Sequence, residues 1–216
     1  MHLQARKNQT LFVTNRQEEI LIGSLLGDAY ITKRGQIQFE QIEKQKEYLF
    51  WKHTELSSIS YKNISEVKRF DKRFSKTNVS YRFWTRQYFL SWRKKYYPNN
   101  KKIVPKDIQL TPLALAIWYM DDGCLSDHKC IFATDGFSKE DILFLQKLLL
   151  EIFAIKSSLK NGSKILIKRA SFNTFFSIID RYLLSALQHK IFDPVTTSRK
   201  RDGNLFTDSI TRQYPA

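Results

Sequence analysis

The chain has 216 residues and carries 36 Lys and Arg against 21 Asp and Glu, a formal net charge of +15. With 42% hydrophobic and 14% aromatic residues it can bury a core, which excludes an intrinsically disordered protein. Its apolar runs fall short of the roughly 20 residues that a membrane span needs, and two cysteines are too few for a disulfide framework. We therefore expect a globular, intracellular protein of a reducing compartment, with no membrane contact and a polyanionic partner.

The first predicted element is a helix over residues 17–28, which begins with a capping-box pattern at Thr14 and Gln17. Almost every residue from Ile20 to Leu26 is apolar, which indicates burial on all sides. The helix ends at Asp28, although a carboxylate at a helix C-terminus opposes the helix dipole. Something other than local helix energetics must therefore favour Asp28.

A hairpin, a helix, a second hairpin and another helix are predicted next. In the first hairpin Ile37 and Phe39 face one way and Gln36, Gln38 and Glu40 the other, as in a half-buried antiparallel strand. The predicted ranges are strands 30–33 and 36–41, helix 44–58, strands 64–74 and 78–87, and helix 87–96.

The second hairpin lies in the most basic part of the chain. Between Lys62 and Lys106 there are 14 Lys and Arg residues and only two acids. Arg82, Trp84 and Arg86 alternate with inward-facing positions, which predicts a surface that binds a polyanion. The alternatives are an ordinary solvated surface for the charges and, for Trp84, a place in the core at the sheet edge.

A second buried helix is predicted over residues 111–122, with Thr111 as its N-cap. The run from Leu113 to Met120 has no polar face, and this helix also ends in carboxylates, Asp121 and Asp122. Two such helices lying side by side would bring their terminal aspartates together. Paired carboxylates at that range require a divalent cation.

The chain contains an internal repeat, since Asp28 and Asp122 are 94 residues apart (122 − 28) and other segments recur in the same order. Residues 46–50 resemble 139–144, and residues 88–97 resemble 175–184. We predict an α+β fold of two pseudo-symmetric halves, an N-terminal half over 1–98 and a C-terminal half with a basic tail over 111–216, joined by a connector over 99–110. The second half is predicted to contain helix 111–122, strands 124–127 and 130–135, helix 138–153, strands 155–160 and 164–169 around an Asn161-Gly162 turn, and helix 171–184, with an irregular tail from Ser185.

Residues 21–29, Leu-Ile-Gly-Ser-Leu-Leu-Gly-Asp-Ala, and 115–123, Leu-Ala-Ile-Trp-Tyr-Met-Asp-Asp-Gly, resemble the two motifs of monomeric LAGLIDADG homing endonucleases. In this register Asp28 and Asp122 hold the same, catalytic, position. The resemblance implies two αββαββα halves whose antiparallel sheets form a DNA-binding saddle.

The second motif departs from the family pattern where small residues are common. Gly23 and Gly27, four residues apart, suit a close helix contact, but Ile117 and Asp121 are expected to face them. Asp121 is interpreted as a neighbour of the site and not as a ligand, because its counterpart is Gly27.

The resemblance also implies the site residues. Asp28 and Asp122, with the adjoining Ala29 and Gly123, are the expected metal ligands, and Mg2+ is favoured because carboxylate oxygens suit it. Lys102 and Lys190 are 88 residues apart (190 − 102), at points where similar family members have an active-site lysine in each half. For a lone lysine in so basic a chain, a surface role is the alternative.

DNA contacts are expected on the outward strand positions. Glutamine can pair bidentately with adenine, whereas lysine and arginine contact phosphates and set the register. The expected DNA-contacting residues are Gln36, Gln38, Glu40, Arg82, Trp84, Arg86, Lys164 and Lys168.

The remaining cysteines and histidines give weaker patterns. Cys124, His128 and Cys130 have no fourth partner in sequence, so we interpret them as packing residues and not as a zinc site. His189, beside Lys190, is a weak candidate for a supporting role in the active site.

The resemblance implies a single-chain enzyme that binds a long, asymmetric double-stranded DNA target as a monomer. It would cut both strands across the minor groove with Mg2+, leave short 3′ overhangs and propagate the intron or intein that encodes it. The alternatives are a maturase that binds a group I intron RNA and a DNA-binding protein that has lost cleavage. Abundant Lys, Ile, Phe and Tyr suggest an AT-rich genome, in a mitochondrion or chloroplast of a eukaryote or otherwise in a bacterial cytoplasm.

Overall fold

The computed structural model describes residues 2–4, 10–126 and 128–190. The helices are α1 Asn15–Leu26, α2 Lys46–Glu55, α3 Leu90–Tyr96, α4 Pro112–Asp122, α5 Lys139–Phe153 and α6 Phe172–Ile179. The strands are β1 His2–Gln4, β2 Thr10–Phe12, β3 Tyr30–Ile31, β4 Ile37–Ile42, β5 Ser65–Asp71, β6 Lys76–Trp84, β7 Gly123–Ser126, β8 Lys129–Ala133, β9 Ser157–Lys160 and β10 Lys164–Ile167.

Two four-stranded antiparallel sheets have the same strand order, β3-β4-β6-β5 in the first half and β7-β8-β10-β9 in the second. One helix of each half packs on one face of its sheet, α2 on the first sheet and α5 on the second. The predicted α+β fold and its duplication are therefore confirmed. The outer hairpin of the second half is shorter, because β9 and β10 have 4 residues each whereas β5 and β6 have 7 and 9.

Helices α1 and α4 pack against each other along the centre of the molecule. Both caps are as predicted, since the Thr14 hydroxyl accepts from the Gln17 amide and the Thr111 hydroxyl accepts from the Ala114 amide, each at 3.2 Å. Helix α1 nevertheless begins and ends two residues earlier than the predicted 17–28. Almost all of their apolar side chains are buried. The absence of a polar face in either sequence is explained by this mutual burial together with the sheets around them.

The glycines of α1 are required by this contact. A Cβ atom on Gly23 would lie 2.4 Å from the Ala114 carbonyl oxygen and 2.6 Å from the Ile117 Cβ. On Gly27 it would lie 2.4 Å from the Asp121 Cβ. The large residues of the second motif therefore fit because the first motif has no side chain at these two positions.

Gly23→Ala should destabilise the fold by about 2–3 kcal/mol, since overpacking outweighs the gain in helix propensity of about 1 kcal/mol. The free energy of unfolding in urea measures this. Gly136→Ala is the control, because a Cβ there meets nothing within 4 Å, and its change should stay within about 0.5 kcal/mol. Equal effects for the two variants would contradict the close helix contact.

The ends of the chain differ from the sequence prediction. The short strands β1 and β2 pair as an N-terminal hairpin that no sequence pattern indicated. The last predicted helix ends at Ile179, and the tail predicted to be irregular from Ser185 forms a 3₁₀ helix up to Lys190. This segment is ordered because Leu187 is fully buried and Lys190 bonds to the end of α4.

The basic tail over residues 191–216 lies outside the described residues, as does Asp127 in the predicted strand 124–127. Within the described part, no helix has the length and apolar character needed to cross a bilayer.

Candidate active site and nucleic-acid interface

The two motif aspartates lie at equivalent ends of the central helices. Asp28 follows α1 and is exposed, whereas Asp122 ends α4 and is half-buried. Burial, together with the negative charges of Asp28 and Asp121, raises the pKa of Asp122 to about 7. The carboxylates are therefore close enough to repel each other, an arrangement that a bound cation would relieve.

A lysine contacts the end of each of these helices. The Lys102 Nζ donates to the Gly27 carbonyl oxygen at 2.8 Å, and the Lys190 Nζ donates to the carbonyl oxygens of Met120 and Asp121 at 2.5 and 3.1 Å. Because Gly27 and Asp121 each precede a motif aspartate, the two lysines hold equivalent places. Cations at helix C-termini are favourable, which offsets the cost of ending both helices in carboxylates.

Burial lowers the pKa of both lysines, but the surrounding aspartate charges act in the opposite direction. The ammonium groups of Lys102 and Lys190 therefore lie in a partly desolvated, negatively charged site. In such surroundings a fixed positive charge interacts strongly with an incoming phosphate.

The donor set fits a hard divalent cation. Carboxylate oxygens of Asp28 and Asp122 are ligands of the type that Mg2+ prefers, and Mg2+ commonly binds one or two carboxylates together with water and substrate phosphates. Ala29 and Gly123 directly follow these aspartates and are buried. Among the described residues, no group of three or more His, Cys, Asp and Glu is arranged to hold a metal.

Gln41 is a site residue that the sequence interpretation missed. Its amide Nε2 donates to the Asp28 carboxylate at 3.0 Å, and its side chain is buried on the inner face of β4. The sequence pattern could have identified it, because Gln41 follows Ile37 and Phe39 at the next inward-facing position of the strand and is polar. The equivalent position in the second half is Thr134, whose hydroxyl donates instead to the Ser163 carbonyl.

Lys52 is the second missed residue. Its Nζ donates to both carboxylate oxygens of Asp121, at 2.7 and 2.9 Å. Lys52 lies on the buried face of α2 beside Tyr48 and Leu49. A lysine at a core-facing helix position could have indicated a buried ion pair. Both oxygens of Asp121 are engaged by this ammonium.

The outward face of the first sheet carries a polar surface across strands β4 and β6. Gln38 is paired with Trp84 and Glu40 with Arg82. The Trp84 indole donates to Gln38 Oε1 at 3.3 Å, and Arg82 Nε donates to Glu40 Oε2 at 2.8 Å. Trp84 therefore lies on this polar surface, where the Arg82 guanidinium is 5.3 Å from the centre of its ring.

The other expected DNA-contacting residues lie at the margins of the two sheets. Gln36 donates its amide to the Thr85 carbonyl at 3.3 Å, and exposed Arg86 donates to the Ser60 carbonyl at 3.3 Å. In the second half Lys164 begins β10, and Lys168 is exposed and directly follows the end of that strand at Ile167. The structure thus brings Gln38, Glu40, Arg82 and Trp84 into one network, while Gln36, Arg86, Lys164 and Lys168 lie apart from it.

Glu40 organises this polar surface. Its carboxylate accepts hydrogen bonds from Arg69, Ser80 and Arg82. Burial acts to raise the pKa of Glu40, but these hydrogen bonds outweigh it and lower the pKa to about 2. The ionised carboxylate thus holds two arginines in fixed positions on the outward face of the first sheet.

Glu40→Gln should lower the free energy of unfolding by about 1 kcal/mol at pH 7. Because the pKa of Glu40 is lowered in the folded state, its stabilisation is complete above the ordinary value of 4.5 and is lost as the pH falls toward 2. The difference between wild type and variant should therefore shrink below pH 4.5 in urea titrations. Glu43→Gln, at an exposed site beyond the same strand, is the control. A difference that is independent of pH would contradict the assignment.

The cysteine and histidine pattern lies on the hairpin of β7 and β8. Cys130 is buried in the core and Cys124 is exposed. His128 lies in the turn between β7 and β8 with a positive φ of 54°. The side chain of His189 lies outside the described residues.

Comparison with known proteins places this chain in a family. The model of the LAGLIDADG DNA endonuclease family matches residues 18–175. The cytochrome b mRNA maturase bI2 of Saccharomyces cerevisiae is 30% identical over 195 residues, which cover 80% of this chain and 46% of the maturase. The DNA endonuclease I-ChuI of Chlamydomonas applanata is 28% identical over 216 residues, covering 84% of this chain and 96% of that enzyme.

A solved structure of the homing endonuclease I-WcaI bound to its DNA recognition sequence superposes with a TM-score of 0.77 and 25% sequence identity. The match covers 85% of this chain and 88% of that chain. The chain spans about half the length of the yeast maturase, but most of the two endonucleases. On the family match and the duplicated architecture, the chain belongs to the LAGLIDADG DNA endonuclease family.

Proposed function

We propose that the chain is a site-specific homing endonuclease that binds a long, asymmetric DNA duplex as a monomer and cuts both strands. The observation that carries this proposal is that Asp28 and Asp122 lie at equivalent helix ends, within electrostatic reach of each other, and that a half-buried lysine contacts each end. Two equivalent half-sites on one chain suit two scissile phosphates, one on each strand.

In this proposal Asp28 and Asp122 hold Mg2+, with Ala29 and Gly123 beside them. The metal ion would polarise the scissile phosphate and lower the pKa of an attacking water. Gln41 keeps the Asp28 carboxylate in a fixed orientation through its amide. Lys102 and Lys190 place positive charge where the phosphate gains negative charge during hydrolysis.

DNA would lie along the outward faces of the two sheets, since the opposite faces are covered by α2 and α5. Gln36, Gln38 and Glu40 are proposed to contact bases, and Arg82 and Arg86 phosphates. Trp84 lies among them, and Lys164 and Lys168 would make the corresponding contacts from the second half. Glu40 is suited to hold the arginines in place because it already binds Arg82 and Arg69.

The test is a cleavage screen of a randomised duplex DNA library with Mg2+, followed by sequencing of the ends. We expect one long, asymmetric site that is cut on both strands with short 3′ overhangs. Cutting at unrelated sequences, or blunt ends, would contradict the proposed specificity and cut geometry.

The second candidate function is that of an RNA maturase, which the similarity to the yeast cytochrome b mRNA maturase favours. In that case the protein would speed the folding or splicing of a group I intron RNA without cutting DNA. Splicing assays with the intron that encodes the chain discriminate the two functions. A cleavage-inactive DNA-binding protein is the third reading, which tight DNA binding without cutting would support.

We also propose that the chain is encoded by an intron of an organellar genome. Relatives named as intron-encoded endonucleases and as a cytochrome b mRNA maturase support this origin. Sequencing of the flanking genomic DNA tests it, because an intron-encoded enzyme should recognise the exon junction lacking that intron.

A further inference from the structure

A buried ion pair joins the two halves next to the candidate metal site. Lys52 lies on α2 of the first half, and its ammonium binds both oxygens of Asp121 on α4 of the second. The two side chains are only 2% and 0% exposed. The ammonium also lies 4.3 Å from the centre of the Tyr48 ring, and the Tyr48 hydroxyl donates to the Ile117 carbonyl at 3.4 Å. Asp121 is therefore held from the α2 side.

The two halves differ at this point. The repeat aligns Asp121 with Gly27, and it aligns Lys52 with Leu145 because the similar segments begin at Lys46 and Lys139. Leu145 is fully buried. The pair formed by Lys52 and Asp121 is charged, whereas the residues at the corresponding positions of the repeat, Leu145 and Gly27, are uncharged. The fold can therefore be built at this point without an ion pair. Since buried ion pairs seldom add stability over apolar residues of similar size, the pair needs a reason other than core packing.

The Asp121 carboxylate lies beside both proposed ligands. Asp121 directly precedes Asp122 in the chain. Its side chain also packs against Gly27, the residue before Asp28, so closely that a Cβ on Gly27 would overlap it. A free third carboxylate here would strengthen the binding of cations that take many oxygen ligands, whereas Mg2+ suits one or two carboxylates.

We propose that Lys52 is a positioning residue of the metal site that acts through Asp121. Its ammonium neutralises the Asp121 carboxylate and engages both oxygens, so that Asp28 and Asp122 alone present carboxylates to the metal. The inference rests on the proposed nuclease site, but it is tested on metal binding without DNA.

The test is a luminescence titration with Tb3+, a hard cation that binds carboxylate oxygens and is excited through nearby aromatic rings. Lys52→Met should bind Tb3+ about tenfold more tightly than wild type, because a third carboxylate becomes available. The double variant Lys52→Leu/Asp121→Gly copies the residues of the other half and should return to within about threefold of wild type. Lys106→Met is the control, since it breaks a more exposed ion pair with Asp141, at 3.3 Å, and should leave the affinity unchanged.

Wild-type Tb3+ affinity in a folded Lys52→Met variant would overturn the proposal. The proposal would also be overturned if the double variant bound Tb3+ at least tenfold more weakly than wild type, because Asp121 would then be a metal ligand. If circular dichroism shows that Lys52→Met does not fold, Lys52→Gln takes its place with the same two readings. Its amide can donate to one Asp121 oxygen, but it no longer neutralises the carboxylate and leaves the other oxygen available.

DNA cleavage by the wild type separates this inference from the proposed function. A chain that cuts DNA but shows equal Tb3+ affinities in wild type and variant overturns only the role of Lys52. A chain that shows the expected affinities but cuts no DNA overturns the proposed function and leaves the electrostatic role of Lys52 standing.

Discussion

Asp28→Asn and Asp122→Asn should each lower the single-turnover rate of DNA cleavage by at least about a thousandfold, because each removes a carboxylate proposed to hold metal. Asparagine keeps the shape of the side chain, so the fold should persist. Loss of one negative charge near the DNA phosphates should leave the Kd for the target within about threefold of wild type, or lower it. Cleavage is measured with enzyme in excess, and Kd by mobility shift without Mg2+.

Asp107→Asn is the matched control for these variants. Asp107 is exposed and pairs with Lys95 at 2.6 Å, so its loss should leave the rate unchanged. Asp122→Asn should in addition stabilise the metal-free protein, because it removes the repulsion of the half-buried Asp122 carboxylate by Asp28 and Asp121. Cleavage at the normal rate by either motif variant would show that the metal site has been assigned to the wrong residues.

Lys102→Met and Lys190→Met should each slow single-turnover cleavage about a hundredfold. Both ammonium groups are partly desolvated and are fixed by carbonyl oxygens of Gly27 and Asp121, so their charges are oriented before DNA arrives. The apparent Kd should change little, since each variant loses only one of many positive charges. Rates are compared at saturating Mg2+ and enzyme.

Lys101→Met provides the control for the lysine variants, since it removes an exposed charge beside Lys102 in the chain. Its rate should match that of wild type. If all three variants cut equally fast, Lys102 and Lys190 only cap the helices and take no part in the chemistry.

The two central helices and the contact between them were predictable because the sequence patterns that indicate them lie within the helices themselves. Capping residues at Thr14 and Thr111 mark where the helices begin, and the runs without a polar face require burial. The glycines at Gly23 and Gly27 predicted the close contact between them. The shared topology of the two halves was predictable from the repeat, because two copies of one sequence pattern fold in the same way.

Contacts between distant segments explain what the sequence interpretation missed. Gln41 and Lys52 reach aspartates 13 and 69 residues away, and their roles depend on strand register and helix packing. Both are polar residues at core-facing positions, where a buried polar group needs a hydrogen-bond partner. The sequence pattern therefore indicates that a partner exists, but it does not indicate which residue it is. The N-terminal hairpin of β1 and β2 was missed because strands of three residues carry too short an alternation.

The central claim is that Asp28 and Asp122 together hold divalent metal over the scissile phosphates. Anomalous scattering from Mn2+ in crystals of the DNA complex measures this most directly. We predict metal density between the two carboxylates and in contact with DNA phosphate oxygens. Metal bound elsewhere on the protein, with both carboxylates free of it, would contradict the account.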